Sequence, residues 1–131
     1  MEEVFQFLRE NSTFYLATAE EDQPRVRPFG AVDLYEGKLY IQTGNTKQVF
    51  AQMLKNPNIE ICASGKDGRW LRVAAKAVRD DRREARQHML DANPELKDMY
   101  SADDGICEVF YLKDAVGAFY TFGKNPETVR F

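Results

Sequence analysis

The residues best placed to do chemistry lie in one short segment, Gln42-Thr43-Gly44-Asn45-Thr46-Lys47-Gln48. A strand pattern ends there, glycine turns the chain, and a helical stripe of Val49, Phe50, Met53 and Leu54 begins. The spacing predicts Asn45 as the helix cap, with Gln48 at the third helical position completing a capping box. Lys47 then falls in the first turn, where free amide hydrogens and the positive end of the helix dipole disfavour a cation. No acid shares that turn. A bound anion would reverse the repulsion, because the amides, the Thr46 hydroxyl and the Lys47 ammonium would converge on it. The plain alternative is a lysine that turns into solvent.

Arg25 and Arg27 add to this. Two residues apart on a strand, they share one face, and Pro28 marks an edge or a bulge where a ladder bond is missing. Gly30 lets another group approach the backbone closely. An edge strand flanked by cations suits a flat polar heterocycle bearing a phosphate, although a solvated strand face is the commoner outcome for isolated charges. Elsewhere the chemistry is sparse. The single histidine, His88, sits on a charged helical stretch and reads as a solvated position. There is no dinucleotide fingerprint, phosphate loop or zinc-ligand cluster, and no serine–histidine–acid triad better than chance. No metal site is expected. Difficult bond chemistry would have to be lent by a cofactor.

The elements that must position these residues follow from periodicity. Residues 2–10 read as a short amphipathic helix, and Phe14–Thr18, Arg25–Tyr35 and Lys38–Thr43 as strand runs. Glu36-Gly37 reads as a hairpin turn. Ile59–Ser64 and Arg69–Val78 are further strand runs; Asp81 and Glu84 have the spacing to open a helix, and Pro94–Tyr100 is a second short helical segment. Ile106–Leu112, Val116–Phe122 and Glu127–Phe131 close the chain as strands. Strands without regular strand–helix alternation predict an α+β fold, an antiparallel barrel of six to seven strands with a few short flanking helices, in a single domain over 1–131. Closure removes the exposed edges of so aromatic a sheet.

A formal net charge of −3 argues against a nucleic-acid or anionic-membrane surface, since both need a basic face. The acidic, amphipathic start resembles neither a secretory signal nor a membrane span, so a cytoplasmic setting is expected. Cys62 and Cys107 sit in apolar runs and are expected to be small buried thiols in a reducing compartment.

Taken in order, Phe14–Thr18, Gln23–Gly30, Lys38–Thr43, Asn45–Val49, Asn56-Pro57 and Trp70–Val73 resemble the pyridoxamine 5′-phosphate oxidase-like family, the FMN-binding split barrels. The likeness spans nearly the whole chain. It implies an FMN at the interface of a homodimer. Arg25, Val26, Arg27 and Pro28 would line the ring and ribityl chain, partly through backbone groups; Gln42 and Thr43 would lie beside the ribityl or phosphate; Thr46, Lys47 and Gln48 would hold the phosphate. Trp70 falls where the family places a side chain near the flavin, with a core or interface aromatic as the equal alternative. The partner subunit would add Tyr111, Phe119 and Tyr120 from its C-terminal strands, residues that also fit a plain core role. Pyridoxamine phosphate oxidases proper carry a C-terminal arginine–histidine motif that grips the substrate phosphate; here the sequence closes on Thr128-Val129-Arg130-Phe131 without it. The resemblance therefore implies barrel and flavin but not vitamin B6 oxidation. The expected activity is hydride or electron transfer with a small molecule. The alternatives are an electron carrier with no dedicated substrate, or a sensor module in which haem or a deazaflavin replaces FMN.

Overall fold

Hydrophobic alternation along the chain folds into eight antiparallel strands and three α-helices in a computed structural model of residues 1–131. The order is α1 (Glu2–Glu10), β1 (Phe14–Glu20), β2 (Gln23–Phe29), β3 (Val32–Tyr35), β4 (Lys38–Gly44) and α2 (Gln48–Lys55). Then come β5 (Asn58–Ser64), β6 (Trp70–Asp80), α3 (Arg83–Ala92), a 3₁₀ segment at Pro94–Asp98, β7 (Cys107–Tyr120) and β8 (Glu127–Arg130). All strands join one sheet in the order β2-β1-β5-β6-β7-β4-β3, with β8 paired to the far half of β7. The end strands β2 and β3 are linked only through Gly30-Ala31 and do not pair, which is what splits the barrel.

Two expectations about strands are corrected. The run Arg25–Tyr35 divides at Gly30-Ala31 into β2 and β3. The runs Ile106–Leu112 and Val116–Phe122 fuse into β7, which carries Asp114-Ala115 opposite Ala75 of β6 as a bulge, with Asp114 at φ 51°. With β8 formed as well, the strands number eight, not six to seven. Phe122 lies beyond β7 and is fully exposed.

The barrel interior is filled from strands that alternate in and out. β5 buries Ile59, Ile61 and Ala63 and exposes the residues between them. Cys62 is one of those outward residues and is exposed, so only Cys107 is the buried thiol expected of both. Helix α1 lays Val4, Phe7 and Leu8 on this core, at the spacing of one helical face. Helix α2 contributes Val49 and Met53. A second cluster lies on the outer side of β4, where Tyr40 packs with Met89 and Leu90 of α3 and with Leu96. Strand β4 is therefore buried on both faces from Leu39 to Gly44.

Both expected helix caps are corrected. The Asn45 side chain does not cap α2; its amide donates to Gly105 O at 2.8 Å and to Glu108 Oε2 at 3.0 Å, stapling the β4–α2 connection to the start of β7. Tertiary partners outcompete the local bond, α2 begins at Gln48, and Lys47 itself occupies the N-cap position with no side-chain cap present. Asp81 likewise does not open α3. The Asp80 carboxylate accepts the Arg82 backbone N–H at 3.1 Å, and Arg82 is the N-cap.

Candidate functional site

The ends of three elements meet at one cleft of about 320 Å³. β2 and its link supply Arg27, Pro28, Phe29, Gly30 and Ala31; β4 ends there with Gln42 and Thr43; α2 begins there with Lys47 and Val49. The opposite wall comes from the 3₁₀ segment and its exit, Glu95, Leu96, Met99 and Tyr100. Strand β2 is the free edge of the sheet, which is why Pro24 and Pro28 are tolerated in it. Gly44 sits in a tight space: a Cβ there would stand 3.0 Å from the Tyr100 hydroxyl.

The charges around this cleft are unevenly compensated. Arg25 is half-exposed and forms an ion pair with Glu20 at 3.2 Å. Arg27, on the same strand face, has no carboxylate partner. Its guanidinium donates to Leu16 O at 3.2 Å, Thr18 Oγ1 at 2.8 Å and Gln52 Oε1, all neutral acceptors. Burial, and then the nearby Arg25, press its pKa below the usual arginine value. Lys47 is exposed, and it also lacks an ion-pair partner. The first turn of α2 contains no acid. Two positive side chains thus share one cleft, with Glu95 on the far wall as its only acid.

The remaining predicted residues distribute as follows. Gln42 and Thr43 are buried, and the Gln42 amide donates to Thr43 O at 2.8 Å. Thr46 and Gln48 are exposed beside Lys47, and Val26 is exposed on the outer face of β2. Trp70, Tyr111, Phe119 and Tyr120 lie away from this chain's cleft. Trp70 stacks on Tyr120 at 4.1 Å between centroids, with Arg72 over both rings. Tyr111 packs on Tyr40 and under Lys38. Phe119 is 3 % exposed, a core aromatic packed on Phe7.

Thr18, Gln52, Met99 and Tyr100 are site residues that sequence patterns did not single out. Thr18 and Gln52 read as ordinary members of a strand and a helix, and only folding brings them to Arg27. Tyr100 belongs to a stretch that registers simply as helical. His88 is more engaged than a solvated position implies. Its Nδ1 lies 2.6 Å from the buried Asp33 carboxylate, and its ring packs on Tyr35 at 4.4 Å. Burial raises the Asp33 pKa, with the His88 hydrogen bond opposing it. This pair is outside the cleft.

An eight-stranded split barrel with a cationic cleft at its open edge defines a recognisable class of small α+β protein. Residues 1–130 match the family model described as pyridoxamine 5′-phosphate oxidase, and the chain belongs to that family. Among solved structures it is similar to a NimC/NimA family protein from Clostridium acetobutylicum, with 50% identity over 100% of this chain and 92% of that one and a TM-score of 0.97. General Stress Protein 26 from Bacillus anthracis is 18% identical over 99% of this chain and 97% of that one, with a TM-score of 0.78. A protein from Mesorhizobium loti described as FAD-binding is 17% identical over 92% and 94%, with a TM-score of 0.62. At these last two identities the likeness is one of fold. No curated protein is matched.

Proposed function

We propose that the chain binds FMN at this cleft and serves as a flavin-dependent oxidoreductase acting on a small molecule. The observation that carries the reading is the pair of uncompensated cations, Arg27 and Lys47, facing one cleft at an acid-free helix start. A terminal phosphate monoester carries a charge of about −1.5 to −2 at neutral pH, which two such cations match. A dinucleotide's phosphate bridge carries a similar total charge but brings a second nucleoside, and the cleft is near the lower limit of about 300 Å³ for small-molecule pockets. That favours FMN over FAD.

In this reading Arg27 and Lys47 hold the phosphate, with Thr46 and Gln48 beside it at the start of α2. The buried edge formed by Gln42 and Thr43 and the β2 segment ending in Pro28 orient the rest of the cofactor. A bound flavin supplies hydride or single-electron transfer, and the protein supplies position and electrostatics. So small a cleft encloses only part of a tricyclic ring with its side chain. We therefore assign the remainder to a second copy of the chain, with the half-buried Trp70–Tyr120 stack as its contribution. A cytoplasmic setting is part of the reading, supported by the two free thiols.

Purified protein incubated with FMN and freed of excess is expected to keep a flavin absorption spectrum. Lys47→Glu is expected to weaken FMN binding about tenfold or more, the scale of losing a charge-assisted hydrogen bond, with the melting temperature of the apoprotein unchanged or slightly raised. Protein that retains no flavin, or a variant with wild-type affinity, would remove this assignment.

A further inference from the structure

We propose that Gln52 and Thr18 are positioning residues that fix the Arg27 guanidinium at the cleft while leaving its charge undischarged, an inference that rests on the FMN reading above. Arg27 lies on the edge strand β2, Thr18 on β1 and Gln52 on α2, the helix whose start carries Lys47. Thr18 Oγ1 accepts from Arg27 Nη1 at 2.8 Å and donates its own proton to Gln52 Oε1 at 2.6 Å. Gln52 Oε1 also accepts from Arg27 Nη2. The three side chains therefore close a ring of hydrogen bonds that ties β1, β2 and α2 together around Arg27, the one of the three that lines the cleft. Thr18 and Gln52 are 4 % and 6 % exposed, so water cannot easily replace either acceptor.

The choice of amide over carboxylate gives this ring its electrostatic character. The nearest acid, Glu20, is held one step away: Oε2 accepts from Gln52 Nε2 at 3.2 Å, and Oε1 takes the ion pair with Arg25 at 3.2 Å. The chain of contacts runs Arg27, Gln52, Glu20, Arg25. Glu20 is spent on Arg25, and the Gln52 amide stands between it and Arg27. A glutamate at position 52 has the same length but would neutralise the guanidinium, and it would lose the bond that the Gln52 amide donates to Glu20. Gln52 thus leaves the positive charge of Arg27 available to an external phosphate and keeps it in register with Lys47 on the same helix.

The test compares FMN with riboflavin, which shares the ring and ribityl chain and lacks the phosphate, by titration of the apoprotein. Gln52→Glu is expected to weaken FMN binding about tenfold or more while riboflavin affinity stays within about twofold. Gln52→Met, which removes the acceptor without adding charge, is expected to show the same selective loss. In an Arg27→Met background Gln52→Met should not change FMN affinity further. Thermal melts of each variant establish that the fold is intact. Wild-type FMN affinity in both Gln52 variants, or parallel loss of FMN and riboflavin, would overturn the proposal while the FMN assignment stands. A wild-type protein that binds FMN no more tightly than riboflavin would overturn the phosphate anchor itself, and the positioning role with it.

Discussion

Neighbours decide what a charged side chain is free to do, and the two arginines of β2 illustrate it. Arg25 spends its charge on Glu20, at half exposure, in a pair of the kind worth about 1 kcal/mol or less. Arg27 touches only neutral oxygens. Arg25→Ala, which keeps the β2 backbone, is therefore expected to change FMN affinity less than about threefold; a loss like that of Lys47→Glu would show Arg25 to be a direct anchor. Sequence alone places Arg25 and Arg27 on one face and gives them equal weight, because alternation reports direction and not partners. It marks Lys47 as anomalous from local helix electrostatics, and that anomaly survives although the helix starts two residues later than the capping pattern indicates. Gln52 leaves no such mark. Nothing local links a helix glutamine to a strand arginine 25 positions away.

Among elements, the start of α3 shows how the fold around the site is pinned. Asp80, the last residue of β6, accepts the Tyr40 hydroxyl of β4 at 2.7 Å and the Arg82 guanidinium at 2.9 Å, and Arg82 reaches on to Glu36 at the β3–β4 turn. Arg82 first, and the Tyr40 hydroxyl after it, outweigh burial and lower the Asp80 pKa from 3.8 to about 2. Because the folded value lies below the unfolded one, this carboxylate stabilises the protein above about pH 4 and ceases to do so as pH falls toward 2. Asp80→Asn is expected to cost roughly 2 kcal/mol at neutral pH and to flatten acid unfolding between those values. Urea melts across pH 2–5 measure both; an unchanged acid limb would place the sensitivity elsewhere. This joint was partly legible. The strand, the turn at Glu36-Gly37 and the helix follow from periodicity, but Asp81 looked like the cap because cap preferences distinguish residue types and not which of two adjacent aspartates faces the helix start.

The whole molecule leaves one face of its sheet without a partner. Val26 is 69 % exposed and Tyr15 51 %. Val26 pairs in register with Ala17, and Tyr15 with Pro28 on one side and Cys62 on the other, so these outward residues form contiguous rows across β2, β1 and β5. A stable dimer buries about a tenth of a small protein's surface, which for 7512 Å² is about 750 Å² per copy. Pro28 belongs to the same rows and lines the cleft, so a copy seated on Val26 also borders the cofactor site. Dimerisation and flavin binding should then strengthen one another, since each completes the surface the other uses. Val26→Arg, which sets like charges against each other across a two-fold contact, is expected to yield a folded monomer by light scattering. FMN should dissociate from it at least about tenfold more readily, and raising the protein concentration should recover both dimer and flavin together. A wild-type monomer that binds FMN fully would break that linkage and leave the cofactor to the single-chain cleft.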